Sequence, residues 1–370
     1  MRNLSKQSVQ QRIFMNDSIE VIRKERIAYI DALRGFTILL VVFGHINTFS
    51  FGYGGYNSNI ASFFLAFRMP MFFFISGFVA YKEYAIWDKK YFLSQLRKKC
   101  RIQLVPLFVF FCAYNLLFSC RIPHFWKYGF GEYWFTLVLF EMLLIYFLVQ
   151  VASNFIKRDL FFILLLLSGF GVFALSALPR DIPGYDFLCL ENLFKYFQFF
   201  TIGLYCRKYK AHYDNILSNE VFKVIVFSIF ILSYILLCNP LLIQSEFVLK
   251  LLRSIVIRYA GVFSILIIFT SSSKYFSSEK LIPRQMRYVG KRTLDVYLIH
   301  YFMLPNLKML YPFFDGNSNM FLQMVISFAI SILIVLCCII VSNCIRSSNF
   351  LAYWLFGQAK NATAKIKQYD

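Results

Sequence analysis

Charged side chains are scarce in this chain. Only 16% of its 370 residues are Asp, Glu, Lys or Arg, against roughly 25% in a soluble globular protein. A shortage on that scale, with 59% hydrophobic and 20% aromatic residues, excludes an ordinary water-soluble domain and makes the bilayer the solvent. Long polar intervals are also missing between Ile27 and Ile345, so there is no room for a separate soluble core. No segment shows the ten-residue alternation of a membrane barrel strand, which leaves helices as the one spanning structure that satisfies its own backbone in lipid. Internal repeats and low-complexity tracts are absent, which excludes solenoids and arrays. The nine cysteines lack CxxC spacing and a nearby His pair, which excludes a disulfide framework and a metal centre. Cys112, Cys206, Cys238, Cys337, Cys338 and Cys344 fall within apolar runs and read as small buried apolar residues.

What is present is a series of apolar runs. The first follows the basic leader Arg23, Lys24 and Arg26, but it is about 20 residues long and lacks a small-residue cleavage site. It therefore reads as a first spanning helix, not a signal peptide. Hydropathy predicts spans at Ile27 to Phe49, Ile60 to Tyr81, Ile102 to Phe118, Tyr133 to Ser153 and Leu160 to Leu178. Others follow at Leu193 to Cys206, Val221 to Cys238, Phe247 to Thr270, Val289 to Tyr311 and Phe321 to Ile345. The fold class is all-α, a polytopic bundle of about ten helices.

Basic residues outnumber acidic ones 39 to 19, a net charge of +20. Their placement excludes nucleic-acid binding as the reason. Lys and Arg crowd the N-terminal tail, Lys82 to Arg101, Lys157 and Arg158, Arg207 to Lys210, Lys274 to Arg292 and the C-terminal tail. The loops Ser50 to Asn59 and Pro312 to Met320 have none. This alternation is the positive-inside pattern and puts both termini in the cytoplasm, with the basic faces near anionic headgroups. The expected organisation is a tail at 1–26, a membrane domain at 27–345 and a second tail at 346–370, polar from Ala359. Gly52 to Gly55 reads as an external turn.

Charges within the spans cost on the order of 2.5–3.5 kcal/mol each and need a reason. Arg34 and His45 are eleven residues apart on the first helix, which places them within about 20° of one face and about 16 Å apart along the axis. Asp31 lies one turn before Arg34, positioned to pair with it. On the second helix Arg68 shares the outer half of the membrane with His45, and Pro70 removes a backbone donor, predicting a kink or break. Thr293, Tyr297 and His300 form a second polar stripe, with Asp295 turned away from it. Glu141, Arg253 and Arg258 are further buried-charge candidates. Simpler readings stand beside these: a lone intramembrane His is often a helix-to-helix hydrogen-bonding group, and Arg68 at a helix end can snorkel to headgroups.

The stretch from Tyr29 to His45 resembles the first-helix signature of the membrane acyltransferase-3 family, in which an Arg or Lys precedes a His by ten intervening residues. Four later segments match in order. They are Arg68-Met-Pro-Met-Phe-Phe-Phe-Ile-Ser-Gly77, Tyr133-Trp134-Phe135, Phe199-Phe-Thr-Ile-Gly203 and Gly290-Lys-Arg-Thr-Leu-Asp-Val-Tyr-Leu-Ile-His300. The resemblance implies transfer of an acyl group, usually acetyl, from cytoplasmic acyl-CoA to a carbohydrate hydroxyl on a surface polysaccharide or lipid-linked glycan precursor. The short form is most similar to the sugar O-acetylase branch, of the fucose 4-O-acetylase kind. It implies a bacterial inner membrane, acetyl-CoA as donor substrate and no metal.

On that reading His45 is the expected base for the hydroxyl proton, and Arg34 holds a polar part of CoA nearer the cytoplasm. Arg68, Tyr297, His300, Trp134 and Arg258 are expected to bind or position substrate. Asp31, Pro70 and Glu141 are expected to orient the helices. Ser76 is an alternative nucleophile, but it lies about 12 Å along the helix from Arg68. A glycolipid transporter or flippase also buries Arg and His; no second broken helix pairs with the Arg68 motif, as inverted repeats would require. Acceptor identity and oligomeric state are not legible at this level.

Overall fold

A computed structural model describes residues 27–52, 59–82, 87–119, 129–153, 165–171, 173, 187–239, 243, 245–310 and 320–357. Every regular element among them is helical. In chain order these are α1 (Ala28–Ser50), α2 (Asn59–Ala80), α3 (Lys89–Phe118), α4 (Gly131–Ala152), α5 (Leu190–Lys208), α6 (Lys210–Ser218), α7 (Glu220–Cys238) and α8 (Glu246–Ser271). They continue as α9 (Ser273–Ser277), α10 (Leu281–Lys291), α11 (Thr293–Ile299), α12 (Met320–Ser347) and α13 (Asn349–Phe356).

Six are long and apolar enough to cross a bilayer: α1, α3, α4, α7, α8 and α12 from Phe321. Sequence signals place several ends. Asp88, Asn219, Ser245 and Ser348 each accept a hydrogen bond from the backbone N–H three residues on, capping α3, α7, α8 and α13. Gly357, at φ 62°, closes α13 in the left-handed conformation that glycine adopts without strain.

Close backbone approach organises the centre. A Cβ on Gly77 would lie 2.0 Å from the Phe200 carbonyl oxygen, and one on Gly203 2.1 Å from that of Phe74, so α2 and α5 meet backbone to backbone. Gly35 and Gly290 do the same for α1 and α10, against the carbonyls of Met286 and Asp31. Helix α1 is thereby buried at the centre, packed by α2, α10 and α12.

Several expectations need correction. Helix α2 is continuous through Pro70, so of the kink or break expected there the break is absent. Its Phe-rich flanks are locked between α1, α5 and α8, and this packing outweighs the roughly 3 kcal/mol that an interior Pro costs. The ninth expected span is not one helix. The chain bends at Arg292 (φ −116°, ψ 18°), restarts as α11, tightens into a 3₁₀ turn at His300–Met303 and then extends toward Pro305. The early bend follows from α10 lying against α1, and the late one from Pro305, which disfavours helix in the residue before it. Within the segment expected to be the C-terminal tail lies α13, whose Ala352 and Phe356 are buried. Of the cysteines read as buried, Cys112, Cys337 and Cys344 are exposed; a membrane helix tolerates them there because lipid is as apolar as the core. The tail at 1–26, most of the fifth span, the turn beyond Gly52, the loop before Met320 and the segment after Gly357 lie outside the described residues.

Candidate functional site

Helices α1 and α11 bring the two polar stripes face to face. Arg34 Nη2 donates to Thr293 Oγ1 at 3.0 Å. Further along both helices, His45 Nδ1 and His300 Nε2 are 2.8 Å apart. Arg34 and His45 are half-buried, whereas His300 is wholly buried. The second nitrogen of His300, Nδ1, lies 3.0 Å from the Val296 carbonyl one turn back.

The backbone around His45 is propped. A π turn begins at Ile46, which shifts the helical register and leaves carbonyls short of their usual donors. Asn47 Nδ2 donates to the Phe43 carbonyl at 2.8 Å, and Thr48 Oγ1 to that of Gly44 at 2.9 Å. Ser327 on α12 donates to Asn47 Oδ1 at 3.3 Å. Downstream of His300, Leu307 N–H donates to the Ser50 carbonyl, tying the far end of this segment to the end of α1.

Arg68 comes to the same place from α2. A Cβ on Gly44 would lie 1.3 Å from its Nη1, so the guanidinium occupies the space that a side chain next to His45 would fill. Arg68 is 8% exposed, which argues against simple snorkelling into headgroups.

The N-terminal turn of α4 forms the next wall. Tyr297 and Tyr301 hydroxyls both donate to the Glu132 carbonyl, at 2.8 and 2.9 Å, and the Tyr133 hydroxyl donates to that of Leu298 at 3.2 Å. The Tyr297 proton is thus held by backbone. Tyr301 also packs on both imidazoles, with ring centroids 5.0 Å from His45 and 4.0 Å from His300. Beyond Tyr297, Phe135 leads to Phe73, and Tyr196 lies nearly parallel to Phe73 and Trp134, with centroids 5.2 and 5.9 Å away, in a three-ring cluster. Arg258 approaches the Tyr196 ring at 5.8 Å. Tyr196 is therefore what joins Trp134 and Arg258.

Other sequence candidates lie elsewhere. Ser76, half-buried on α2, stands eight residues along the helix from Arg68. Glu141 lies nine residues along α4 from Glu132, about 13 Å deeper. Its Oε2 is buried without a hydrogen-bond partner among the described residues. Asp31 is buried at the crossing with α10. Asp295, turned from the stripe as its spacing indicated, accepts from Arg346 at 2.8 and 2.9 Å, from Ser342 at 2.5 Å and from Arg292 at 3.4 Å, clamping α11 to α12. Arg253 is exposed. Sequence reasoning missed Gly44, whose small size beside a buried guanidinium has no signal short of the fold. It also missed Tyr196, Tyr301 and Thr293 as partners of residues it had singled out.

A partly buried histidine backed by a second one, with a guanidinium beside it, can take a proton from a hydroxyl and stabilise charge on oxygen. A family model described as an acyltransferase domain matches residues 27–342. No curated protein and no solved structure matches the chain.

Proposed function

The chain belongs to the acyltransferase-3 family and is an integral membrane acyltransferase, and we propose that it moves an acetyl group from cytoplasmic acyl-CoA to a hydroxyl of a surface carbohydrate or lipid-linked glycan precursor. In this reading about ten crossings, with both termini inside as the loop charges indicate, put Arg34 toward the cytoplasm and His45 near the outer face of a bacterial inner membrane. The observation that carries the reading is the convergence of His45, His300 and Arg68 from three separate helices at one end of the Arg34–His45 stripe.

His45 takes the hydroxyl proton as the sugar oxygen attacks the thioester carbonyl. The carbon–sulfur bond then breaks and His45 returns the proton to the departing thiolate, giving the acetyl ester and free CoA thiol. Arg68 is placed for the oxyanion of the tetrahedral intermediate, which a preorganised donor stabilises most when water is excluded. Arg34, held by Thr293, receives a polar part of the donor. The Phe73, Tyr196 and Trp134 cluster with Arg258 offers aromatic faces and a cation to a sugar.

Membrane vesicles containing the protein are incubated with labelled acetyl-CoA, and label is sought on glycan and lipid-linked sugar. Transfer by wild type and none by His45→Ala, with the variant still inserted and monodisperse, is the expected result. Transfer by His45→Ala at the wild-type rate refutes the base assignment. Movement of unmodified glycolipid without label would favour a flippase.

A further inference from the structure

We infer that His300 is a positioning residue that fixes the tautomer of His45, so that Nε2 of His45 carries the lone pair that accepts the substrate proton. The inference deepens the acyl-transfer reading above and rests on it. A carbonyl oxygen can only accept, so the 3.0 Å contact with Val296 requires a proton on His300 Nδ1. With both rings neutral, His300 Nε2 is then an acceptor, and the 2.8 Å contact requires the proton of His45 to be on Nδ1. The lone pair of His45 is left on Nε2, the nitrogen that His300 does not occupy, and His45 is less fully buried than His300.

The opposite arrangement would need a doubly protonated His300, a cation without water contact in the same site as the Arg68 guanidinium, which is expensive without an anionic partner. When His45 takes the substrate proton, its Nδ1–H becomes a charge-assisted donor to a ring that cannot turn away, because that ring is itself held by Val296. Tyr301, packed at a tilt against both rings, restricts rotation further.

Two variants separate positioning from proton handling. His300→Gln keeps an acceptor oxygen near the place of the imidazole Nε2 but cannot carry a proton onward; His300→Leu removes the acceptor. The Gln variant should retain acyl transfer to within about tenfold, and the Leu variant should lose about 10²- to 10³-fold, the range in which an unoriented base falls. Full-length protein with ¹⁵N-labelled histidine, in bilayers, gives an independent reading by solid-state NMR. The chain has four histidines, so comparison with His45→Ala assigns the signal. Wild type and Gln variant should show His45 protonated at Nδ1 and bare at Nε2.

A His45 protonated at Nε2 in wild type overturns the inference, as does a Leu variant active to within threefold. A Gln variant as inactive as the Leu variant also overturns it, by giving His300 a proton-carrying role. If the Leu variant does not fold, the spectra of the other two decide. Because the spectra require no turnover, absence of transfer by the wild type sinks the proposed reaction while leaving the tautomer assignment to stand or fall separately.

Discussion

The glycine beside His45 gives the sharpest test of the site. In Gly44→Ala the new Cβ would lie 1.3 Å from Arg68 Nη1, 2.5 Å from its Cζ and 3.1 Å from Nη2. A comfortable carbon-to-nitrogen contact is about 3.5 Å, so the guanidinium must retreat by about 2 Å. The obstructing atoms are the end of a flexible side chain, not backbone, so the helix can keep its path. Ala also favours helix over Gly by about 1 kcal/mol, and thermal stability should stay level or rise.

Activity should move the other way. A displacement of about 1 Å in a positioning group can cost on the order of 100-fold, so a 2 Å retreat should lower kcat/KM for acyl transfer by at least about 100-fold, or about 2.7 kcal/mol. Labelled-acetyl transfer and thermal unfolding, measured on the same preparation, give both quantities. The double variant Gly44→Ala with Arg68→Ala should be no worse than Arg68→Ala alone, because both changes remove one interaction. Wild-type transfer by Gly44→Ala would refute the placement of Arg68 at the reacting centre. A loss that adds to that of Arg68→Ala would put the damage elsewhere.

Two further predictions concern the first turn of α11. Thr293→Val removes the acceptor for Arg34 while keeping shape, and a hydrogen bond to a charged group contributes about 1.5 kcal/mol or more; KM for acyl-CoA should rise about tenfold with kcat little changed, and an unaltered KM in donor titrations would detach Arg34 from the donor. Asp295→Ala leaves Arg346 and Arg292 facing a gap between α11 and α12, and breaking such a buried pair costs about 3 kcal/mol; thermal unfolding should fall accordingly, and unchanged stability would mean that the Asp295 clamp contributes little.

What the sequence disclosed and what it hid divide along a physical line. Spans were readable because a bilayer demands length and apolarity within one segment, and six of them meet those demands by composition alone. The Arg34–His45 stripe was readable because helical periodicity is local. The partners were not: Thr293 is 259 residues from Arg34 and His300 is 255 from His45, and no local rule says which two stripes face each other. The bend at Arg292 falls where Lys291, Arg292 and Asp295 interrupt the apolar run, a break that an expected span starting at Val289 passed over. At Pro70 the helix stays continuous because α2 is held on several sides, which a local rule does not see. Helix α13, eight residues long, fell below the length at which a span is recognised.

The plainer reading of His45, a hydrogen bond between helices, and its reading as a base turn out to be the same geometry seen from its two nitrogens. The bond to His300 uses Nδ1 alone. His45 is less fully buried than His300, and the two carbonyls just before it are held by the Asn47 and Thr48 side chains. Helix register is altered immediately after His45, where the π turn starts, and such turns recur at functional sites because they re-aim side chains at the expense of regular hydrogen bonding. The same chain places a guanidinium against the adjacent glycine instead of a methyl group. A helix joint does not require a cation there; a reaction that develops negative charge on oxygen does.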